Sequence, residues 1–266
     1  MKEKRSALFA LIVLSLIWGY GWIVMKIALR YSGPFDFAAL RTLLATVCLF
    51  ALAGAMKRPL APARLPEVFL LGFLQTFLFL ALSMWALVDG GAGKTAVLVF
   101  TMPFWTMILA WPLLGERIHG SQWLAVAMAL AGLILILEPW GLRTTLASKV
   151  LAVLAGAAWA ASAIVAKRIQ AKAHMDLLAL TSWQMLLGVI PLNLLAWLIP
   201  SRPVEWAWPF IGALAFTAIV TTAGGWILWL YVLRSLPAGI ASMSALAIPV
   251  IAILGSALQL GEVPSP

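Results

Sequence analysis

The chain has 266 residues, 64% of them hydrophobic and 10% charged, with a mean hydropathy of +1.05. A soluble domain holds roughly 45–50% apolar residues, so this composition excludes a water-solvated fold and calls for lipid. The formal charge of +9 would suggest nucleic acid in a soluble protein, but the Lys and Arg residues stand mainly in turns between apolar segments, where membrane orientation accounts for them. No nucleic-acid partner is expected.

A hydrocarbon core about 30 Å thick takes about 20 apolar residues per helix, and unpaired backbone groups cannot face lipid, so the spans should be helical. The short alternating segments of a β-barrel are absent. Gly, Pro and charge punctuate the chain into nine predicted spans: Ala7 to Ala28, Phe35 to Met56, Glu67 to Val88, Gly93 to Leu114, Ser121 to Leu137, Ser148 to Lys167, Met175 to Ile199, Trp206 to Leu233 and Ala238 to Leu260. The start, Met1-Lys2-Glu3-Lys4-Arg5 before Ala7 to Ile17, resembles a signal peptide. The apolar run continues through Trp18 and Trp22 to Ala28 without a small-residue cleavage site, and an uncleaved first helix is predicted.

Ala92, Gly93, Pro103 and Leu114-Gly115-Glu116 recur as Ala238, Gly239, Pro249 and Leu260-Gly261-Glu262 at a constant offset of 146. Trp18, Ile23, Val24 and Lys26 match Trp159, Ile164, Val165 and Lys167, and Asp36, Ala39 and Leu40 match Asp176, Ala179 and Leu180. Five spans per copy is an odd number, so the second copy would enter the membrane from the opposite side. The expected fold is an all-α polytopic membrane protein with an inverted five-plus-five repeat. Residues 1–145 form the first copy and 146–266 the second, which holds four spans. A tenth span of roughly 20 apolar residues is expected beyond Pro266.

A cytoplasmic N-terminus puts Lys2, Lys4, Arg5, Lys57, Arg58, Arg64, Arg117, Lys167, Arg168, Lys172 and Arg234 inside. It leaves Lys26, Arg30, Arg41, Lys94, Arg143, Lys149 and Arg202 outside, and the excess favours that orientation. Cys48, the single cysteine, lies in an apolar run and reads as packing.

No carboxylate or imidazole falls at mid-span: Glu3, Asp36, Glu67, Asp89, Glu116, Glu138, Asp176, Glu205, Glu262, His119 and His174 all sit at helix ends or in connections. A proton-coupled or cation-exporting carrier generally needs such a group in the membrane. Of fourteen tryptophans, Trp111, Trp123, Trp140, Trp197, Trp206 and Trp208 lie near span ends as interface anchors, Trp22 is intermediate, and Trp18, Trp85, Trp105, Trp159, Trp183, Trp226 and Trp229 lie deeper. Helical spacing gathers mixed aromatic and polar faces: Ser15, Trp18 and Trp22; Gln75, Phe79 and Ser83; Trp159 and Ser162; Thr222, Trp226 and Trp229. Such faces suit a cavity that stacks a flat substrate and hydrogen-bonds its polar end, although each aromatic also fits packing and each hydroxyl a bond to its own backbone.

Pro103 and Pro249 interrupt the fourth and ninth spans at matched positions and are assigned to gating, and Gly224-Gly225 is expected to loosen the eighth. Gly90-Gly91-Ala92-Gly93-Lys94-Thr95 resembles a phosphate loop but has Val88 where the motif needs glycine. Small residues at four-residue spacing, Gly156 with Ala160 and Ala127 with Ala131, read as close packing within one chain. No hydrolase or metalloprotease motif is present, so no enzyme, metal or cofactor is expected.

The duplicated order of these motifs resembles the EamA branch of the drug/metabolite transporter superfamily: a tryptophan in the first helix of each half, a proline in the fourth and Leu-Gly-Glu closing it. The aromatic weighting resembles bacterial inner-membrane exporters of aromatic amino acids. The resemblance implies a cavity lined by helices one to four and six to nine. The function expected is export of aromatic and other neutral amino acids or related metabolites by alternating access, without proton coupling, from a monomer in the inner membrane. The substrate-binding candidates are Trp18, Gln75, Phe79, Ser83, Trp159, Ser162, Thr222, Trp226 and Ser242. The alternatives are a proton-coupled exporter of drugs or other metabolites, and, from a different class, a passive channel. A phosphorylated substrate would need a cavity-facing cation, for which Lys26, Arg41, Lys94, Lys167 and Arg234 are the candidates.

Overall fold

The computed structural model of the protein describes residues 2–61, 64–116, 120, 123–124, 127–128, 131, 146–172 and 175–261, with side chains from Ser6 onward. Every regular element among them is helical, and eight helical stretches are long and apolar enough to cross a membrane, which makes the chain a polytopic α-helical membrane protein. Of the nine expected spans, the fifth, Ser121 to Leu137, falls largely outside the described residues.

Two crossings are unbroken at the start: α1 (Lys2–Ala28) and α2 (Pro34–Ala55), the latter opened by Pro34, whose missing N–H costs nothing in the first turn. The third crossing runs through α3 (Leu65–Gly72), a π-helical segment (Phe73–Leu78) and α4 (Phe79–Asp89). The fourth is split into α5 (Ala92–Val99) and α6 (Met102–Leu114). Beyond it come α7 (Leu146–Lys172) and α8 (Leu177–Leu198), whose first turn is capped by the Asp176 carboxylate accepting from Leu178 N and Ala179 N at 2.9 and 3.3 Å. The chain then passes through α9 (Trp208–Ala215), a second π-helical segment (Phe216–Gly224) and α10 (Gly225–Ser235), and continues into α11 (Ala238–Ser244) and α12 (Ala247–Leu260).

The split crossings correct the expectation that Pro103 and Pro249 lie within continuous helices. Pro103 is the second residue of α6 and Pro249 the third of α12, each just past a break closed by tighter bonds, Thr101 N to Leu98 O and Leu246 N to Met243 O. There proline has no intrahelical donor to lose. The glycine of each Leu-Gly-Glu motif ends its helix in the left-handed region, Gly115 at φ 71° and Gly261 at φ 67°, a conformation that a side chain opposes.

The packing has an exchange symmetry. The α1 helix packs on α10 and α12 while α7 packs on α4 and α6; α2 and α8 pack on each other; α8 meets the first π segment as α2 meets the second. Swapping α1 with α7, α2 with α8, α4 with α10, α6 with α12 and one π segment with the other leaves these pairings unchanged. Hydrogen bonds fix the directions. Lys26, near the end of α1, donates to Leu87 O and Gly90 O at 2.8 Å, and Ser148, at the start of α7, donates to Ala86 O at 2.7 Å. Both meet the end of α4, so α1 and α7 run in opposite directions. The bundle therefore has an N-terminal face, where α1 begins, and a far face, where α1 ends and α7 begins.

Small residues let backbones touch. A Cβ at Gly72 would sit 2.3 Å from Gln184 O, and one at Gly188 2.4 Å from Gly72 O, so α3 and α8 are in backbone contact. Gly156 on α7 faces Val99 O in the same way, at 2.5 Å from an added Cβ, and its role is packing within the chain. On α1, Leu8, Phe9, Ile12 and Leu16 face outward while Ala7, Leu11 and Leu14 face the core; a helix apolar on both sides belongs between protein and lipid. Trp111, Trp123, Trp197, Trp206 and Trp208 are exposed, and Trp140 lies outside the described residues. Of the tryptophans expected to lie deep, Trp85 and Trp105 instead point outward.

Candidate functional site

Four crossings bring their aromatic faces together at the centre of the bundle. Trp18 of α1 stands edge-on to Trp159 of α7 with ring centroids 5.3 Å apart, and Trp159 in turn contacts Phe79 at 4.6 Å, Trp229 at 5.7 Å and Trp226 at 5.9 Å. These are separations at which offset and edge-to-face ring pairs attract. Gly225 makes room for the cluster: a Cβ there would lie 2.4 Å from Trp18 Nε1. That indole nitrogen donates to Thr221 O at 2.9 Å, a carbonyl within the second π segment.

Beside the cluster is a cavity lined by Trp18, Gly21, Trp22, Met25, Arg41, Phe79, Val99, Phe100, Met102, Trp159, Thr221 and Trp226. Its free volume is about 60 Å³, room for a few waters. A bulky solute enters only if the helices part. Towards the far face lies a wider vestibule of about 510 Å³ by the same measure, bordered by Lys26, Arg30, Ser32, Ser201 and Arg202.

The π segments and the residues after them carry buried polar atoms without a protein partner: Gln75 Oε1, Ser83 Oγ and Thr222 Oγ1, with the indole nitrogens of Trp159 and Trp229 nearby in the cluster. Native interiors leave few such groups, and those that persist ask for a ligand, water or strain to explain them. π-Helical turns themselves concentrate at functional sites. Among the nine substrate-binding candidates, Trp18, Phe79, Trp159 and Trp226 line the cavity. Gln75, Ser83, Ser162, Thr222 and Ser242 are buried and do not line it. Ser162 Oγ is bonded to Trp159 O at 2.7 Å and Ser242 Oγ to Thr106 Oγ1 at 3.3 Å. Ser15 likewise bonds its own helix at Leu11 O, and Trp183 donates to Leu60 O away from the cavity.

Of the five cations that the sequence offered as cavity-facing, Arg41 is the one that lines the central cavity. Assigned to the outer side in the orientation count, it sits seven residues into α2, about 10 Å along the axis at about 1.5 Å per residue, and is 4% exposed. Its Nη1 donates to Met25 Sδ at 2.6 Å, its guanidinium stands 6.0 Å from the Phe37 ring centroid, and its Nε has no partner. The ion pairs among the described residues are Arg58–Asp176 and Arg64–Glu67, and neither reaches it. A charge within the membrane core costs about 2.5–3.5 kcal/mol on the insertion scale, so such residues are by default functional. The signal was an arginine inside the apolar run Phe35 to Met56; a count of loop charges overlooks it.

The described carboxylates stay at helix ends or in connections, and none borders the central cavity. Glu116 caps a neighbouring helix: its two oxygens accept from Ala238 N at 3.2 Å and Gly239 N at 3.3 Å. The end of α6 is thereby joined to the start of α11 at the N-terminal face. His119, His174, Glu138 and Glu262 lie outside the described residues.

Comparison with known proteins agrees with this architecture. The transporter YoaV of Bacillus subtilis (strain 168), named as uncharacterized, is 25% identical over 97% of this chain and 89% of its own length. A probable amino-acid metabolite efflux pump of Escherichia coli (strain K12) is 26% identical over 98% of this chain and 88% of its own. A solved crystal structure superposes with a TM-score of 0.79 at 16% identity, covering 98% of this chain and 90% of that one, which shows a shared fold. The profile of the EamA-like transporter family matches residues 5–138 and again 147–266, and the chain belongs to that family: it is a membrane transporter, not an enzyme.

Proposed function

We propose that the protein exports aromatic and other neutral amino acids, or related metabolites, across a bacterial inner membrane by alternating access and without proton coupling. The observation that carries this reading is the central cavity, walled by Trp18, Phe79, Trp159 and Trp226 and bordered by no acidic residue among those described. Flat aromatic walls stack flat solutes, and without a carboxylate the cavity has no group of the kind that loads and releases a proton. The name of the Escherichia coli relative supports amino-acid metabolites as the cargo class.

Two five-helix halves of opposite orientation, residues 1–145 and 146–266, complete the proposal. The double match of the family profile, the exchange symmetry of the packing and the opposed directions of α1 and α7 support it. Pro103 and Pro249 are the gating residues, because each stands beside a break that lets one half-helix pivot on the other. The cavity residues Trp18, Phe79, Trp159 and Trp226 contact substrate, with Gln75, Ser83, Ser162, Thr222 and Ser242 as the polar layer behind them. Counterflow in proteoliposomes tests the reading: preloaded unlabelled phenylalanine or tryptophan should accelerate entry of the labelled form, and an imposed proton gradient should not drive accumulation. A channel gives no such acceleration, and accumulation driven by protons would overturn the uncoupled mechanism.

A further inference from the structure

We infer that Arg41 is the anchor for a carboxylate on the transported molecule, so that the site selects amino acids and related carboxylates and rejects the corresponding amines. This rests on the transport reading above and names the chemistry of the same cavity. The guanidinium is buried, lines the cavity, and among the described residues has as partners only the thioether of Met25 and, at 6.0 Å, the Phe37 ring. A thioether is a weak acceptor, and a guanidinium offers five N–H donors in a planar fork that matches two carboxylate oxygens. Its Nε–H is unsatisfied. Trp18, Trp22, Phe100 and Thr221 share the wall with it, and none of them carries negative charge.

The approach from the far face has the same sign. Lys26, Arg30 and Arg202 border the vestibule, while Lys26 Nζ is held by the carbonyls ending α4 and Arg202 by Leu29 O and Ser32 O. Asp36 at this face accepts a hydrogen bond from Ser201, and Asp89 and Glu205 stand at the same face but do not border the vestibule. Basic groups around a low-dielectric cleft raise the local concentration of anions and repel cations. A zwitterionic amino acid fits the arrangement with its carboxylate on Arg41, its side chain among the rings of Trp18, Trp159 and Phe79, and its ammonium over an indole face.

Four probes of similar size isolate the carboxylate: phenylalanine, 3-phenylpropionate, phenylalaninamide and 2-phenylethylamine. Binding is read on the purified wild-type protein by quenching of its tryptophan fluorescence and by the ligand-induced shift in unfolding temperature. The two carboxylates should bind, and the amide and the amine should bind at least about tenfold more weakly. Arg41→Gln should weaken carboxylate binding by about 10- to 100-fold while Arg41→Lys keeps part of it, as expected for a charge-assisted bond. If Arg41→Gln fails to fold, Arg41→Met, a neutral side chain of similar length beside Met25, gives the same comparison, and the wild-type panel needs no variant. An amide that binds within about threefold of phenylalanine, a neutral variant that keeps wild-type carboxylate affinity, or binding of none of the four overturns the inference. Amine or amide flux in proteoliposomes would leave an exporter of aromatics without its carboxylate anchor. Carboxylate binding that depends on Arg41 without any flux would leave the anchor without the exporter.

Discussion

Substituting Gly225 tests whether the aromatic cluster is built as described. A methyl group there would lie 2.4 Å from Trp18 Nε1 and 3.2 Å from Cδ1 and Cε2. Non-bonded heavy atoms settle at about 3.5–4.0 Å, so the indole would have to retreat by about 1 Å. It has nowhere soft to go: Trp159 stands 5.3 Å away on one side and Trp229 6.0 Å on another. The retreat also pulls Nε1 off Thr221 O, now at 2.9 Å. Overpacking costs about 1–3 kcal/mol, and stranding a buried N–H a further 1–3 or so. Replacing glycine by alanine in a helix returns about 1 kcal/mol. Gly225→Ala is therefore expected to destabilise the protein by about 1–5 kcal/mol, read by equilibrium unfolding in mixed micelles. Phenylalanine lacks the pyrrole edge that the methyl group would strike, so in a Trp18→Phe background the same substitution should be neutral or slightly stabilising. The coupling energy should accordingly be about 1–6 kcal/mol; costs that add within about 0.5 kcal/mol would refute the proposed contact.

Glu116→Ala removes the carboxylate that accepts from Ala238 N and Gly239 N, and a loss of about 1–2 kcal/mol is expected in the same unfolding assay. A variant as stable as wild type would show that these amides do not need the cap. Pro103→Ala and Pro249→Ala allow the paired half-helices to join, so transport rate should fall more than substrate affinity changes; equal rates in proteoliposomes would remove the prolines from gating. Gly188→Ala drives a Cβ to 2.4 Å from Gly72 O, backbone that cannot rotate away, and α3 and α8 should separate with a loss of about 2–4 kcal/mol, seen as poor yield and early unfolding.

Hydropathy made the crossings legible because lipid imposes a single demand, about 20 apolar residues in hydrogen-bonded helix, on every span. The boundaries moved by only a few residues: Phe35 to Met56 became Pro34–Ala55, and Ser148 to Lys167 became Leu146–Lys172. The π segments left no such mark. Phe73–Leu78 and Phe216–Gly224 read as ordinary helix in composition, since adding a residue to a turn changes neither apolarity nor length enough to register. The aromatic cage was half legible. Spacing put Trp18, Phe79, Trp159 and Trp226 on promising faces, yet Trp85 and Trp105, equally deep in sequence, turn outward. Depth along a helix is visible in one dimension, whereas the direction of a side chain depends on where neighbouring helices pack. Arg41 was legible as one of five candidate cations, but not as the one that enters the cavity: a rule that counts charges by loop has no place for a cation folded back among membrane helices.

The two faces of the bundle are closed unequally, and that inequality bears on direction of transport. At the N-terminal face Glu116 ties the end of α6 to the start of α11, Arg168 Nη2 donates to Leu113 O at 3.2 Å, and deeper in, Ser242 bonds to Thr106. At the far face the vestibule of about 510 Å³ reaches down to Lys26, one residue past Met25 in the wall of the central cavity. With the N-terminus cytoplasmic, as the count of basic residues predicts, the latched face is the inside and the vestibule faces the outside. For an exporter this is the state that has released its cargo and must reset. Resetting requires the Glu116 latch and the α6–α11 contact to part while the far-face vestibule closes. In the reset state the amides of Ala238 and Gly239 would be uncapped. An outside carboxylate that binds Arg41 should hold the latch shut, and high outside substrate should slow the return step; this is the trans-side dependence that a two-state carrier shows and a pore does not.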